Sequence, residues 1–113
     1  MKIKTADKIC KRLSCQYGII NAPEVIPLKY SRVGKSVILG YYNNPENKIE
    51  LNKYALEQWT LKQITEIITH ELMHARCYQN FGHGGHGKRF HILCDLFGIG
   101  SEIKRATKKD NTT

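Results

Sequence analysis

No run of about 18 apolar residues, the minimum for a membrane span, occurs in these 113 residues. The opening Met1-Lys2-Ile3-Lys4-Thr5-Ala6-Asp7 is polar and has no apolar stretch behind it, so no signal peptide is expected and a soluble, intracellular protein is predicted. The four cysteines, Cys10, Cys15, Cys77 and Cys94, make no C-x-x-C pair, so a zinc ribbon is not expected. Reduced thiols are the default, with Cys77 and Cys94 reading as small buried residues on helices; Cys10 and Cys15 could pair only in an oxidising compartment. The carboxylate-rich cluster of a two-metal nuclease is missing. So are basic runs interleaved with aromatics, which leaves base-specific readout of nucleic acid without support. There is no internal repeat, low-complexity tract or long linker, and the length predicts one domain spanning residues 1–113.

What the chain does have is His70-Glu71-Leu72-Met73-His74. Histidines four apart on a helix face the same way and can share one metal ion, with Glu71 one step round the cylinder. A catalytic zinc takes three protein ligands and keeps a fourth position for water, which a neighbouring carboxylate can deprotonate. The helix itself is legible. Thr60-Leu61-Lys62-Gln63 is a capping-box sequence flanked by Trp59 and Ile64 as a staple, and Gly82 is a stop. Between them Leu61, Ile64, Ile67, Ile68, Leu72 and Ala75 recur at threes and fours, describing one apolar face.

A third ligand has to come from downstream, where residues 81–91 hold three histidines among glycines that let the chain turn back sharply. His86, between Gly85 and Gly87 and four residues before Phe90, is the preferred ligand over His83 and His91. Phe90, Leu93, Cys94 and Phe97 have helical spacing and predict a final helix ending near Gly98. Two other arrangements stay open. A zincin of another clan would take an acidic third ligand, Asp95 or Glu102, and a DNA-binding module with a structural zinc site would fill the fourth position with His83 or Cys77.

Upstream, residues 5–17 read as an amphipathic helix through Ile9, Leu13 and Tyr17. Ile26, Leu28 and Tyr30, then residues 36–42, then Lys48-Ile49-Glu50-Leu51-Asn52 read as strands. Turns fall at Val33-Gly34-Lys35 and Asn43-Asn44-Pro45-Glu46-Asn47. The expected fold is α+β: a small antiparallel meander packed on the His70–His74 helix, with flanking N- and C-terminal helices. An exposed strand edge above the metal could hold an extended substrate backbone by β-augmentation.

His70-Glu71-Leu72-Met73-His74-Ala75 followed by Gly85-His86-Gly87-Lys88-Arg89-Phe90 resembles the paired H-E-x-x-H-A and G-H-G-x-x-F signature of SprT-like (Spartan-type) zinc metalloproteases, most strongly over residues 70–90. The resemblance implies a zincin-like fold, one zinc ion on His70, His74 and His86, Glu71 as the catalytic acid and base, and DNA-associated cleavage of proteins, including proteins crosslinked to DNA. Neither a cysteine-rich ribbon nor a long recruitment tail is expected; residues 99–113 are expected to be a short basic tail, frayed and polar over residues 104–113.

The net charge of +8 is concentrated at the ends, with +4 in residues 1–12, +2 in residues 101–113 and +2 between. Basic ends, with Arg32, Lys35, Lys88 and Arg89, suit salt-sensitive, sequence-independent phosphate contacts. On charge alone a solvated basic surface that aids solubility is an equal reading; with the family resemblance, the expected partners are a protein or peptide substrate and DNA, with no membrane, and the expected location is cytoplasmic, or nucleoid or nucleus if the protein works on DNA. Tyr78, Arg76, Tyr41 and Tyr42 are candidate extra donors to the reacting carbonyl, and the spacing does not rank them. The oligomeric state is left open.

Overall fold

The computed structural model describes residues 1–28, 32–33, 36–82, 87–96 and 110–112. The chain runs α1 (Ile3–Gln16), β1 (Glu24–Pro27), β2 (Arg32–Val33), β3 (Ser36–Asn43), β4 (Lys48–Leu51), α2 (Lys53–Gln58), α3 (Leu61–Phe81), α4 (Lys88–Leu96) and β5 (Asp110–Thr112). This is the expected α+β arrangement. α1 buries Ile9 and Leu13 of the expected stripe together with Ala6 and Cys10, while Tyr17, the third expected member, caps the helix and is only partly buried; Lys4, Lys8, Lys11 and Arg12 turn outward.

The sheet departs from a simple meander. β4 lies between β1 and β3, and although β3 and β4 are antiparallel through Tyr42↔Ile49 and Gly40↔Leu51, β1 runs parallel to β4 through Val25↔Ile49. The sheet is therefore mixed. The physical reason lies at the outer side of β1, where Asp7 of α1 accepts a hydrogen bond from the Val25 backbone N–H at 2.9 Å. That contact anchors β1 beneath α1, and Pro27, which has no N–H to give, is tolerated on such an edge strand. The ladder continues past Pro27 as the Leu28 N–H donates to the Leu51 carbonyl at 2.8 Å.

Two further differences concern short elements. α2 follows directly on β4, capped by Asn52, whose side chain accepts from the Tyr54 N–H at 2.8 Å and donates to the Ile38 carbonyl at 2.8 Å. The last residues are not wholly a frayed tail, because β5 pairs in parallel with β3 from Val37↔Asp110 to Gly40↔Thr112. Backbone groups of β3 that lack another ladder partner are satisfied in this way.

A single cluster of buried side chains joins α1, the sheet and the long helix, with Leu39, Ile49, Leu51, Ile64, Ile67, Ile68, Leu72, Met73 and Phe90 at its centre. Cys10, Cys77 and Cys94 are buried and Cys15 is exposed, all as free thiols. Burial pushes the Cys10 and Cys94 thiols up to about 11. Leu61 is the exception on the α3 apolar stripe. As the first helical residue it is 60 % exposed. No helix among the described residues is long and apolar enough to cross a membrane.

Candidate active site

α3 supplies the rigid part of the site. Its start is fixed by the capping box: Thr60 Oγ1 accepts from the Gln63 N–H at 3.2 Å and Gln63 Oε1 accepts from the Thr60 N–H at 2.9 Å. Its end is fixed by Gly82 in the left-handed region at φ 79°, which lets the chain leave the helix abruptly. The span of 21 residues between them makes a rod of roughly 30 Å, held at both ends and buried along its middle.

On that rod His70 and His74 lie side by side, their ring centroids 5.0 Å apart and their planes at 73°. They are 4 % and 5 % exposed, unusually enclosed for imidazoles. α4 closes over them with Phe90, which is fully buried, stacks on His74 at 4.3 Å and 18°, and meets His70 edge-on at 5.2 Å and 66°. Such pairs contribute about 0.5–1.5 kcal/mol each beyond area burial, so Phe90 both seals the apolar side of the site and holds the imidazole planes in place.

Glu71 points towards the sheet and is fully buried. Neither of its carboxylate oxygens closes a hydrogen bond of normal geometry among the described residues. Burial pushes this carboxyl well above the usual carboxylate range, and the Tyr42 backbone N–H of β3 offsets part of that rise. Gly40 is what lets β3 come so near. A Cβ there would meet Ile67 Cγ2 at 2.8 Å, Leu51 Cδ2 at 3.4 Å and Glu71 Cγ at 3.5 Å. This residue escaped the sequence reading, although a lone glycine inside a run of β-formers is the usual sign of a close backbone approach.

The other candidates separate clearly. Among the described residues no group of three or more His, Cys, Asp or Glu is spaced to hold a metal ion; His91, Asp95 and Cys77 are among those residues. Asp95 is exposed and projects about 140° round α4 from Phe90, away from the imidazoles. His86, His83 and Glu102 lie outside the described residues. Arg76 is not positioned as a donor to the site: its Nη1 donates to the Tyr17 and Gly18 carbonyls, tying α3 to the end of α1. Tyr42 donates its hydroxyl to Asn47 Oδ1 at 2.8 Å, and its ring lies 5.7 Å from that of Tyr78.

A long buried helix carrying paired imidazoles and a buried carboxylate, clamped between a small sheet and a C-terminal helix, has recognisable counterparts. The SprT-like family profile matches residues 6–108. This chain belongs to the SprT-like family. The match covers α1 through α4, so membership rests on the whole scaffold as well as on the motif. Among solved structures, the chain is similar to that of the metallopeptidase zymogen of Methanocaldococcus jannaschii jannalysin, with a TM-score of 0.59 at 19 % identity, covering 86 % of this chain and 82 % of that one. At that identity the likeness is one of fold, and it bears out the expected zincin-like α+β class. Comparison with the curated proteins finds no match.

Proposed function

We propose that this member of the SprT-like family is a zinc-dependent metallopeptidase that cleaves protein substrates, with His70, His74 and His86 holding one zinc ion and Glu71 serving as general base and then acid. The observation that carries the reading is the pair of buried imidazoles 5.0 Å apart with the buried Glu71 carboxylate beside them on the same helix. The donor set fits the metal. Two ring nitrogens on neighbouring turns can each sit about 2 Å from a shared zinc, and imidazole is a preferred zinc ligand. A fully buried carboxylate faced only by the Tyr42 backbone N–H, with neither oxygen closing a hydrogen bond of normal geometry among the described residues, is costly unless a cation or an ordered water is supplied to it. Gly85-His86-Gly87 leads directly into α4, whose Phe90 stacks on His74; this short path supports His86 as the third ligand.

Zinc bound there would polarise the scissile carbonyl and acidify a water beside it. Glu71 takes the proton from that water on a carboxylate oxygen and later delivers it to the departing amine. Phe90 excludes bulk water from the apolar side of the imidazoles and holds them in a fixed orientation. The Tyr42 N–H stabilises the ionised form of Glu71.

Association with DNA is part of the proposal. It is supported by the +8 charge and by the outward Lys4, Lys8, Lys11 and Arg12 of α1, which suit phosphate contacts rather than base readout.

The test is metal analysis combined with digestion of casein or histone, with and without single-stranded DNA, using Glu71→Gln as control. One zinc per chain, hydrolysis by the wild type and none by zinc-loaded Glu71→Gln are expected. Equal activity in the two proteins would remove Glu71 from the chemistry, and DNA-independent binding and activity would remove the nucleic-acid part alone.

A further inference from the structure

The helical phase of α3 places one more side chain over the site. At about 100° per residue, Tyr78 projects only about 20° from Glu71 and about 40° from His74 around the helix axis, between the two directions and one turn further along. Side chains on an α-helix lean towards its N-terminus, so the patch that Tyr78 covers lies over the turn of His74. Its ring is set on the β3 side by contact with Tyr42 at 5.7 Å, the same residue whose N–H faces Glu71. Tyr78 is only partly buried where it packs against the core. Tyr42 has its hydroxyl committed to Asn47 at 2.8 Å, whereas no hydrogen bond of the Tyr78 hydroxyl is formed among the described residues. Arg76, two residues earlier, is turned away to the end of α1.

We infer that the Tyr78 hydroxyl is a hydrogen-bond donor to the scissile carbonyl oxygen, strengthening as that oxygen gains negative charge. This rests on the metallopeptidase reading above. A phenol at the lip of an enclosed site is a suitable donor: it carries no charge to repel the metal, and it is held by ring packing, so little reorganisation is needed when charge develops. A contact stronger in the transition state than in the ground state acts on kcat and leaves KM nearly unchanged.

The experiment compares wild type, Tyr78→Phe and Glu71→Gln, all loaded with zinc and assayed on one fluorogenic peptide, together with the affinity of a phosphinic peptide that mimics the tetrahedral geometry. Tyr78→Phe keeps the ring and its packing, and its zinc content and melting temperature are expected to match the wild type. Its kcat is expected to fall about 100-fold, the lower end of the loss typical when a single oxyanion donor is removed. Phosphinic peptide affinity is expected to fall by the same factor, and affinity for the cleaved peptide product to stay within twofold.

A kcat within twofold of wild type, or a change confined to KM, overturns the role of Tyr78 while leaving the peptidase assignment intact. Wild-type activity equal to that of Glu71→Gln overturns both. If Tyr78→Phe fails to fold, 3-fluorotyrosine placed at position 78 gives an independent readout: its fluorine resonance is expected to move on phosphinic peptide binding and not with product, and no movement overturns the inference.

Discussion

Gly40→Ala tests whether the approach of β3 to α3 sets the active site. The added methyl would lie 2.8 Å from Ile67 Cγ2, 3.4 Å from Leu51 Cδ2 and 3.5 Å from Glu71 Cγ. The first distance is too short for carbon atoms in contact, and the offending atom is not the free end of a flexible side chain. Ile67 is fully buried, and its Cγ2 branches directly from Cβ on a helix where the rotamer is nearly fixed. Relief therefore requires sliding the sheet from the helix by several tenths of an ångström. Overpacking of this kind costs typically 1–3 kcal/mol, and the rigidity on both sides argues for about 2 kcal/mol here. At roughly 4 °C per kcal/mol for a domain of this size, thermal denaturation should shift down by about 8 °C. The Tyr42 N–H would move with the strand and Glu71 with the helix, and misplacement by a fraction of an ångström to 1 Å should lower kcat up to about 100-fold. Ile67→Ala deletes the clashing atom. In the double variant Gly40→Ala/Ile67→Ala the two penalties should add to less than their sum by about 1 kcal/mol in urea denaturation, the signature of coupled neighbours. If Gly40→Ala melts within 1 °C of the wild type and is fully active, or if the two substitutions add independently, the proposed squeeze between β3 and α3 is wrong.

Phe90→Ala should destabilise by about 3–5 kcal/mol, because it empties a fully buried ring site. It should also weaken zinc binding about 10- to 100-fold as His74 loses its stacked support; competition with a chromogenic chelator measures the second effect separately from stability. The pH dependence is clearest at Asp7. Burial works to raise its pKa, yet hydrogen bonds from Lys11 and the Val25 N–H, with the Lys11 charge, hold it below the ordinary 3.8. A lowered folded value gives stability that is present above the unfolded pKa and is lost as pH falls through the folded one. The urea midpoint of Asp7→Asn should therefore lie below that of the wild type at pH 7, and the gap should close below pH 3.8. A gap independent of pH would show that the carboxylate charge is not what holds β1.

What was legible in the sequence was local. Thr60 and Gln63 announced the start of α3, Gly82 its end, and the four-residue spacing of His70 and His74 their shared face, because each signal acts within one or two helical turns. That a helix begins near Phe90 after the glycine-rich return was also legible, but the packing of its ring on the imidazoles was not, because it depends on how α4 folds back over α3. The parallel pairing of β1 with β4 was not, because its cause is an Asp7 side chain that meets the Val25 backbone only after α1 has folded onto the sheet. α2 was too short for periodicity to reveal, though Asn52 is a good cap residue. Arg76 illustrates the same limit: nothing in its neighbourhood along the chain distinguishes a residue aimed at substrate from one that grips the end of α1.

The carboxylate of Asp7 also bears on solubility. An outermost strand with vacant amides is a template on which neighbouring chains polymerise. Here one such amide, at the middle of a four-residue margin, is already occupied by an internal anion. Lys4, Lys8 and Lys11 on the adjoining helix are exposed as well, so an approaching strand meets like charge before it can register. Concentrated Asp7→Asn protein should accordingly form fibrils or amorphous precipitate sooner than its parent, even under conditions where both remain fully folded.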